Sequence, residues 1–198
     1  MNREKPTAEN TLDRKDKWAL IDAIIERELK MFQAVNSSPG SGRECQQRPD
    51  TFRLMRWMHH SVLSVGTLGA YLEDLEDAHA LERNLVTEKY ARMEDQIPAL
   101  KENPLIFRIA EAECAWMKDL RERYPHVIRG DAEGFRNYLV SELETYSDDT
   151  LAHLWGDVQA ATVRGLNLPE MRYRNLFKRL GYASLEAVEM EKSGENPG

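Results

Sequence analysis

The amino-acid sequence predicts an all-α fold, a single compact bundle of seven or eight helices with one long, largely buried central helix. Three observations favour this class. Leucine and alanine outnumber the β-branched residues, apolar residues recur at spacings of three and four, and no segment alternates between apolar and polar residues beside a hairpin turn. A chain of 198 residues suits one domain and buries enough surface to fold without a metal or disulfide staple.

The predicted domain spans residues 15–191, between a mobile polar arm at 1–14 and a disordered tail at 192–198. Its first helix is expected over 16–35. The apolar stripe of that helix consists of Trp18, Ile21, Ile25, Leu29 and Phe32. Residues 36–49 are rich in serine, glycine and proline, so this segment is predicted to be a loop.

Capping residues mark the boundaries of the later helices. The candidate N-caps are Asp50, Asn84, Asn103, Asp131, Ser147 or Asp148, and Ser184, and Pro104 and Pro169 suit a first helical turn. Gly165 and Gly181 are the expected helix ends. These signals predict a second helix over 50–81 and further helices beginning near residues 84, 103, 131, 147, 169 and 184.

The helix predicted over 50–81 is apolar around most of its girth, which is typical of a helix at the centre of a bundle. Its polar side chains fall in one narrow stripe, which contains Arg53, Arg56, His60, Ser64, Thr67, Tyr71 and Asp74. The stripe faces either an internal cleft, where its arginines would hold an anion, or a strip of solvent, where they would pair with surface acids.

The composition argues against several classes of protein. The net charge of −7 is unlike the basic footprint of a nucleic-acid-binding protein, and the longest apolar runs are too short for a membrane helix. The N-terminus has no secretory signal, and neither Cys45 nor Cys114 lies in a CxxC pair, so a reducing cytoplasmic location is expected. No phosphate-binding loop, GxGxxG or GxSxG motif is present.

Two local patterns have competing interpretations. Cys45 comes shortly before a helix start, where a thiolate is favoured, so it is either a nucleophile or an incidental cysteine. Glu76 and His79 form an ExxH pair, but a di-iron site needs a second such pair and the sequence has none. No metal and no other cofactor are therefore expected.

The run from Phe32 to Met93 carries a long and specific pattern. It contains Phe32-x3-Asn36, Gly42-Arg43-Glu44-Cys45-Gln46, Thr51-Phe52 with Met55-Arg56, Tyr71-x2-Asp74-Leu75, and Arg83-Asn84-Leu85 with Glu88-Lys89-Tyr90-Ala91. This pattern resembles the bacterial domain-of-unknown-function family numbered 4125. The resemblance implies a helical domain of about this length with no assigned activity. It also implies a glutamine-like residue near His59 or His60, where this chain has the histidine pair.

The favoured hypothesis is a metal-free enzyme that acts by acid–base chemistry on a carboxylate-bearing, amino-acid-like small molecule, as a lyase or isomerase does. The candidate catalytic residues are Tyr71, Asp74, Glu88, Tyr90 and Cys45. The candidate substrate-binding residues are Arg43, Gln46, Arg53, Arg56, His60, Asn84 and Lys89. The alternative is a non-catalytic helical module that binds a protein or peptide. Neither nucleic acid nor membrane is an expected partner, and a homo-oligomer stays open.

Overall fold

Capped α-helices form the parts of the chain that the computed structural model describes, residues 8–35 and 48–194. These parts contain nine helices and no strand, so the predicted all-α class is confirmed with one helix more than expected. The helices are α1 (Ala8–Gln33), α2 (Pro49–His60), α3 (Val65–Ala80), α4 (Leu85–Met93), α5 (Pro104–Arg123), α6 (Ala132–Leu143), α7 (Asp148–Val163), α8 (Leu168–Arg179) and α9 (Leu185–Ser193).

Five of the predicted N-caps are confirmed. Asn84, Asn103, Asp131, Ser147 and Ser184 each accept a hydrogen bond from a backbone N–H in the first turn of the helix that follows. The predicted ends are confirmed as well, since Gly165 and Gly181 adopt φ values of 64° and 92° just after α7 and α8. Glycine takes this left-handed conformation without the steric clash that a Cβ atom introduces.

The prediction of a single helix over 50–81 is wrong, because the segment 61–64 separates α2 from α3. Ser64 has an extended backbone (φ −71°, ψ 161°), and its side chain accepts a hydrogen bond from the N–H of Thr67. On α7, Asp157 accepts hydrogen bonds from the Ser64 N–H at 2.9 Å and the Thr67 hydroxyl at 2.7 Å. A serine that caps a new helix and is held by a neighbouring carboxylate competes with helix continuation.

The centre of the bundle is α3, which packs between α1 and α7. Helix α1 also packs against α2 and α4. Helix α5 packs against α6, α7 and α8. Further contacts join α4 to α6, α2 to α8, and α8 to α9. The main core is aliphatic and includes fully buried Ile21, Ile24, Leu68, Leu75, Ile106, Leu143 and Leu151. Within the described ranges, no helix combines the length and apolar character that crossing a bilayer requires.

Candidate functional site

Four charged side chains from four helices meet in the interior of the bundle. They are Glu28 of α1, Arg56 of α2, Lys89 of α4 and Glu142 of α6, and we call them the central ionic cluster. At most a tenth of any of these side chains is exposed. Two carboxylates and two cations cancel in charge, which lowers the large free-energy cost of taking each ion out of water.

Both glutamates of the central ionic cluster lie within apolar stripes. Glu28 follows Ile24 and Ile25 by four and three positions on α1, so it projects from the same helix face as these buried residues. Glu142 lies three positions after buried Leu139 on α6 and one before buried Leu143, at the end of that helix. Neither glutamate is among the residues predicted from the sequence, although a carboxylate inside an apolar stripe is the signal that reveals them.

Arg56 joins the two carboxylates. Its Nε donates to Glu28 Oε2 at 2.8 Å, and its Nη2 donates both to Glu28 Oε1 and, at 2.8 Å, to Glu142 Oε1. Its Nη1 contacts the hydroxyl of Tyr138 at 3.4 Å. Because protein carboxylates already occupy this guanidinium, Arg56 is not free to clamp a substrate carboxylate as the sequence analysis expected.

Hydroxyl and imidazole groups complete the hydrogen bonding around the central ionic cluster. The Tyr71 hydroxyl donates to Glu28 Oε1 at 2.9 Å, and His60 Nε2 lies 3.2 Å from Glu28 Oε2. The Tyr146 hydroxyl donates to Glu142 Oε1 at 3.3 Å, and Lys89 Nζ donates to the Tyr138 hydroxyl at 3.2 Å. Glu28 is thus saturated with donors, whereas Glu142 receives hydrogen bonds at Oε1.

The two carboxylates remain ionised despite their burial. Burial alone would raise the pKa of Glu28, but Arg56 and the hydrogen bonds from Arg56 and His60 hold that pKa far below its usual range. Burial likewise opposes ionisation of Glu142, and Arg56 and then Lys89 outweigh it, so its pKa is also well below the usual range. Each glutamate therefore carries a negative charge at neutral pH.

Burial keeps the neighbouring groups uncharged. It lowers the pKa of His60, an effect that Glu28 only partly offsets, so the imidazole is neutral at neutral pH. Burial and the charge of Glu28 raise the pKa of Tyr71 well above its usual range. Burial also raises the pKa of Tyr90, against the opposing effect of Lys89. Both tyrosines accordingly keep their protons and can act as donors.

A small cavity lies beside the central ionic cluster. Its lining consists of Glu28, Phe52, Arg56, Tyr71, Leu85, Val86, Lys89, Tyr90, Glu142 and Thr145. Its volume of about 20 Å³ leaves room for about one water molecule. In its wall, Glu142 Oε2 is buried, accepts no hydrogen bond from the described residues and lies 3.9 Å from Lys89 Nζ. A buried carboxylate oxygen that accepts no hydrogen bond is a position where a ligand's hydrogen-bond donor can bind.

The structure brings five of the predicted site residues together. Arg56, Tyr71, Lys89 and Tyr90 line the cavity, and fully buried His60 lies behind Glu28. These residues come from α2, α3 and α4, so the cavity is assembled from three helices in addition to α1 and α6.

Four other predicted site residues lie away from the cavity. Arg53 forms a partly exposed ion pair with Glu26, with Nε 2.8 Å from Oε1. Asp74 accepts a hydrogen bond from the backbone N–H of Ser147, and Glu88 pairs with Arg83 at 2.7 Å. Asn84 caps α4 and donates to the carbonyl of Met31 at 2.8 Å. Each of these contacts stabilises the fold, so these four residues have structural partners outside the cavity.

The remaining predicted residues, Arg43, Cys45 and Gln46, lie outside the described residues. Burial raises the pKa of the other cysteine, Cys114, which makes its thiol a weaker nucleophile at neutral pH. In the two described ranges, no three His, Cys, Asp or Glu side chains are grouped as a metal ion would require.

A second buried ion pair lies between α5 and α8. Arg172 Nη1 and Nη2 donate to the two oxygens of Glu113 at 2.7 and 2.8 Å. The Glu113 side chain is 2% exposed and the Arg172 side chain 10%. Glu113 also lies within an apolar stripe, four positions after Ile109 and four before Met117, and the sequence analysis missed it as well.

Comparison with known proteins identifies a family. The family model described as "Protein of unknown function (DUF4125)" matches residues 18–190, a range that contains the whole central ionic cluster. No curated protein and no solved structure matches the chain. The match covers most of the 198 residues and confirms the resemblance seen in the sequence. The chain therefore belongs to the DUF4125 family of proteins of unknown function.

Proposed function

We propose that the protein is a small-molecule enzyme that transfers a proton on a carboxylate-bearing, amino-acid-like substrate, as lyases and isomerases do. The observation that supports this proposal is the unpartnered oxygen of Glu142 in the wall of a cavity that Lys89 and Tyr90 also line. An acceptor, a cation and a proton donor then face one enclosed space, which is the minimum set for acid–base chemistry on an anionic substrate.

The burial of charge supports a functional role for the site. Replacing buried ion pairs with apolar side chains is often neutral or stabilising, so stability alone gives little reason for four buried charges. Groups with strongly shifted pKa values beside a cavity are frequent in active sites. Glu28, Glu142 and Tyr71 all have strongly shifted pKa values and all line the cavity.

We assign one role to each of three cavity residues. Lys89 binds the substrate carboxylate, because its ammonium group donates only to the Tyr138 hydroxyl among the described hydrogen bonds and is 3.9 Å from the nearest carboxylate oxygen of Glu142. Tyr90 donates the proton, because its raised pKa keeps the hydroxyl protonated at neutral pH. Glu142 accepts a proton at Oε2, the oxygen that receives no hydrogen bond from the described part of the chain.

Substrate binding would itself activate Glu142. Arg56 and Lys89 lower the pKa of this carboxyl group, which makes free Glu142 a weak base. A substrate carboxylate placed against Lys89 neutralises one of these two cations. The pKa of Glu142 then rises toward the range in which a general base is effective, so proton transfer is coupled to recognition of the substrate anion.

Entry of a substrate requires side-chain movement, because the cavity holds about one water molecule. Phe52, Val86 and Tyr90 are the half-buried residues of its lining, whereas Leu85, Lys89 and Glu142 are buried. We therefore expect displacement of the Phe52, Val86 and Tyr90 side chains to open the cavity.

Proton exchange in heavy water tests the proposal. Amino acids and small organic acids are first screened by thermal shift, since a ligand that binds only the native state raises the Tm. The acids that raise the Tm are then incubated with the protein in D₂O, and loss of the proton next to the carboxylate is followed by NMR. We expect exchange with the unmodified protein and a loss of about 100-fold or more in Tyr90→Phe and Glu142→Gln.

Glu88→Gln is the matched control, because Glu88 lies on the same helix as Lys89 but pairs with Arg83 outside the cavity. We expect its exchange rate to equal that of the unmodified protein. Full exchange activity in folded Tyr90→Phe and Glu142→Gln would contradict the proposal.

A non-catalytic interaction module is the competing proposal, and the small volume of the cavity is the observation that favours it. For this role, no small acid should raise the Tm or undergo exchange. The cytoplasmic location expected from the sparse cysteine content is compatible with both proposals.

A further inference from the structure

A larger groove lies on the other side of the central ionic cluster, among α2, α5, α6 and α8. Its volume of about 380 Å³ falls within the range of small-molecule sites. Residues that line it include Met58, His59, Arg121, Arg129, Phe135 and Tyr173. Arg56 lines both this groove and the smaller cavity, so the two sites lie on opposite sides of its side chain.

Two arginines of the groove lack a carboxylate partner within the described part of the chain. Arg121 donates to the backbone carbonyl of Asp131 at 3.1 Å and stacks over the ring of Phe135. Its Nε is buried and has no hydrogen-bond partner among the described residues. Arg129 is exposed and donates to the backbone carbonyl of His126 at 3.3 Å. Among the described residues neither guanidinium forms an ion pair, although Arg121 is near enough to Asp131 to help lower the pKa of that carboxyl group. Both guanidinium groups keep N–H donors for an anion.

The other charged groups of the groove have partners. Asp131, the carboxylate among the described lining residues, accepts the backbone N–H of Gly134 and caps α6. Arg172 is 8% exposed and is paired with Glu113, while its Nε has no hydrogen-bond partner. The groove therefore carries excess positive charge in a protein whose net charge is −7. Such a local excess concentrates anions.

The rest of the wall is neutral. Burial, followed by the nearby Arg172 and Arg56, lowers the pKa of His59 well below its usual range, so the imidazole contributes hydrogen-bonding capacity rather than charge. Met58, Phe135 and Tyr173 supply apolar and aromatic surface. Cations set in an apolar wall favour a ligand that has both an anionic group and an apolar body.

We propose that this groove binds a small organic anion, with its carboxylate or phosphate group held by Arg121 and Arg129 and its apolar body against Met58, Phe135 and Tyr173. This site is separate from the cavity of the proposed enzyme function and does not depend on it. The shared chemistry is an oxyanion joined to an aromatic or aliphatic group, because the two arginines recognise carboxylates and phosphates alike.

Isothermal titration calorimetry of the full chain tests the groove with phenyl phosphate, phenylacetate and the neutral analogue benzyl alcohol. We expect both anions to bind at millimolar or lower concentration and benzyl alcohol not to bind. The tighter of the two anions identifies phosphate or carboxylate as the preferred group. Arg129→Gln and Arg121→Gln should each weaken binding by about 5-fold or more, and the double variant by about 20-fold or more.

Arg108→Gln is the matched control, since Arg108 is an exposed arginine on α5, the helix that carries Arg121. Its affinity should equal that of the unmodified protein. Arg129 is exposed and bonds only to a backbone carbonyl three residues away, so Arg129→Gln will fold even if Arg121→Gln does not. Failure of both anions to bind, equal binding of benzyl alcohol, or unchanged affinity in Arg129→Gln would overturn the proposal.

Discussion

The central ionic cluster and the Glu113–Arg172 pair bury charge in different ways. In the pair, both oxygens of one carboxylate meet both terminal nitrogens of one guanidinium, so the carboxylate is saturated. In the cluster, Arg56 is shared between Glu28 and Glu142, and one oxygen of Glu142, beside a cavity, receives no donor from residues 8–35 and 48–194. The same residue types thus form a closed structural contact in one place and an open site in the other.

This difference distinguishes charged residues that stabilise the fold from charged residues that can also bind a ligand. The pair holds α5 against α8, and each of its carboxylate oxygens already accepts a hydrogen bond from Arg172. The open oxygen of the cluster can accept a proton or a substrate N–H, and the surrounding tyrosines can donate. We therefore expect substitutions in the pair to change stability, and substitutions in the cluster to change stability and ligand binding together.

The largest expected effect is that of Arg56→Met. It leaves Glu28 and Glu142 as buried carboxylates with only Lys89 to balance them, which should lower the free energy of unfolding by about 3–5 kcal/mol. Denaturation by urea, followed by circular dichroism, measures this loss. Arg53→Met, on the same helix, removes a partly exposed partner of Glu26 and should change the midpoint much less. Equal losses in the two variants would contradict the account of the cluster.

The next effect distinguishes the pair from the cluster. Arg172→Met alone should destabilise by about 3 kcal/mol, and adding Glu113→Met should recover most of that loss because no charge remains buried. Replacing both Arg56 and Glu28 with Met should recover less, since Tyr71 and His60 lose their acceptor and Glu142 loses its arginine donor. Urea midpoints of the four variants make the comparison, and equal recovery would show that the two regions do not differ.

Acid should destabilise the protein through the cluster. The folded-state pKa values of Glu28 and Glu142 lie below those of the unfolded chain, so their stabilisation is complete above about pH 5 and is lost as the pH falls through the folded-state values. His60, whose pKa is also lowered, adds a loss that begins below about pH 6.5. Tm should therefore fall on acidification. The fall should be shallower in Glu142→Gln, and an unchanged slope would contradict this assignment.

The smallest expected effects come from the tyrosines. Tyr71→Phe removes a hydroxyl that donates to the buried, ionised Glu28, which should lower stability by about 1.5–2 kcal/mol. Tyr90→Phe removes a hydroxyl from a half-buried side chain and should change stability by less than about 0.5 kcal/mol. A large loss of stability in Tyr90→Phe would mean that this hydroxyl is structural, against its proposed role as a proton donor.

Local signals in the sequence predicted most of the fold. Caps such as Asn103, Ser147 and Ser184 act on the backbone of their own helix, so their effect does not depend on the rest of the molecule. The break after His60 was missed because it depends on a tertiary contact as well as on Ser64. Asp157, about 90 positions away in the chain, holds that serine at the start of α3.

The candidate site was predicted less completely, for the same physical reason. Arg53 and Arg56 lie three positions apart on one helix, yet Arg53 pairs with Glu26 near the surface and Arg56 enters the core. Three residues turn an α-helix by about 300°, which leaves two such side chains about 60° apart around the axis. Neighbours in a stripe can therefore face different surroundings. Residue spacing alone could not show which carboxylates approach Arg56 from α1 and α6.

The most direct test of the central claim compares how two buried glutamates, Glu142 and Glu113, respond to the same ligand. Protein labelled with ¹³C at the glutamate Cδ is titrated with the acid that raises the Tm most, and the signals of Glu142 and Glu113 are assigned from spectra of the two Gln variants. We expect the Glu142 signal to shift with ligand concentration while the Glu113 signal stays fixed. A fixed Glu142 signal, or equal shifts at both glutamates, would contradict the claim that the cluster contains an open binding position.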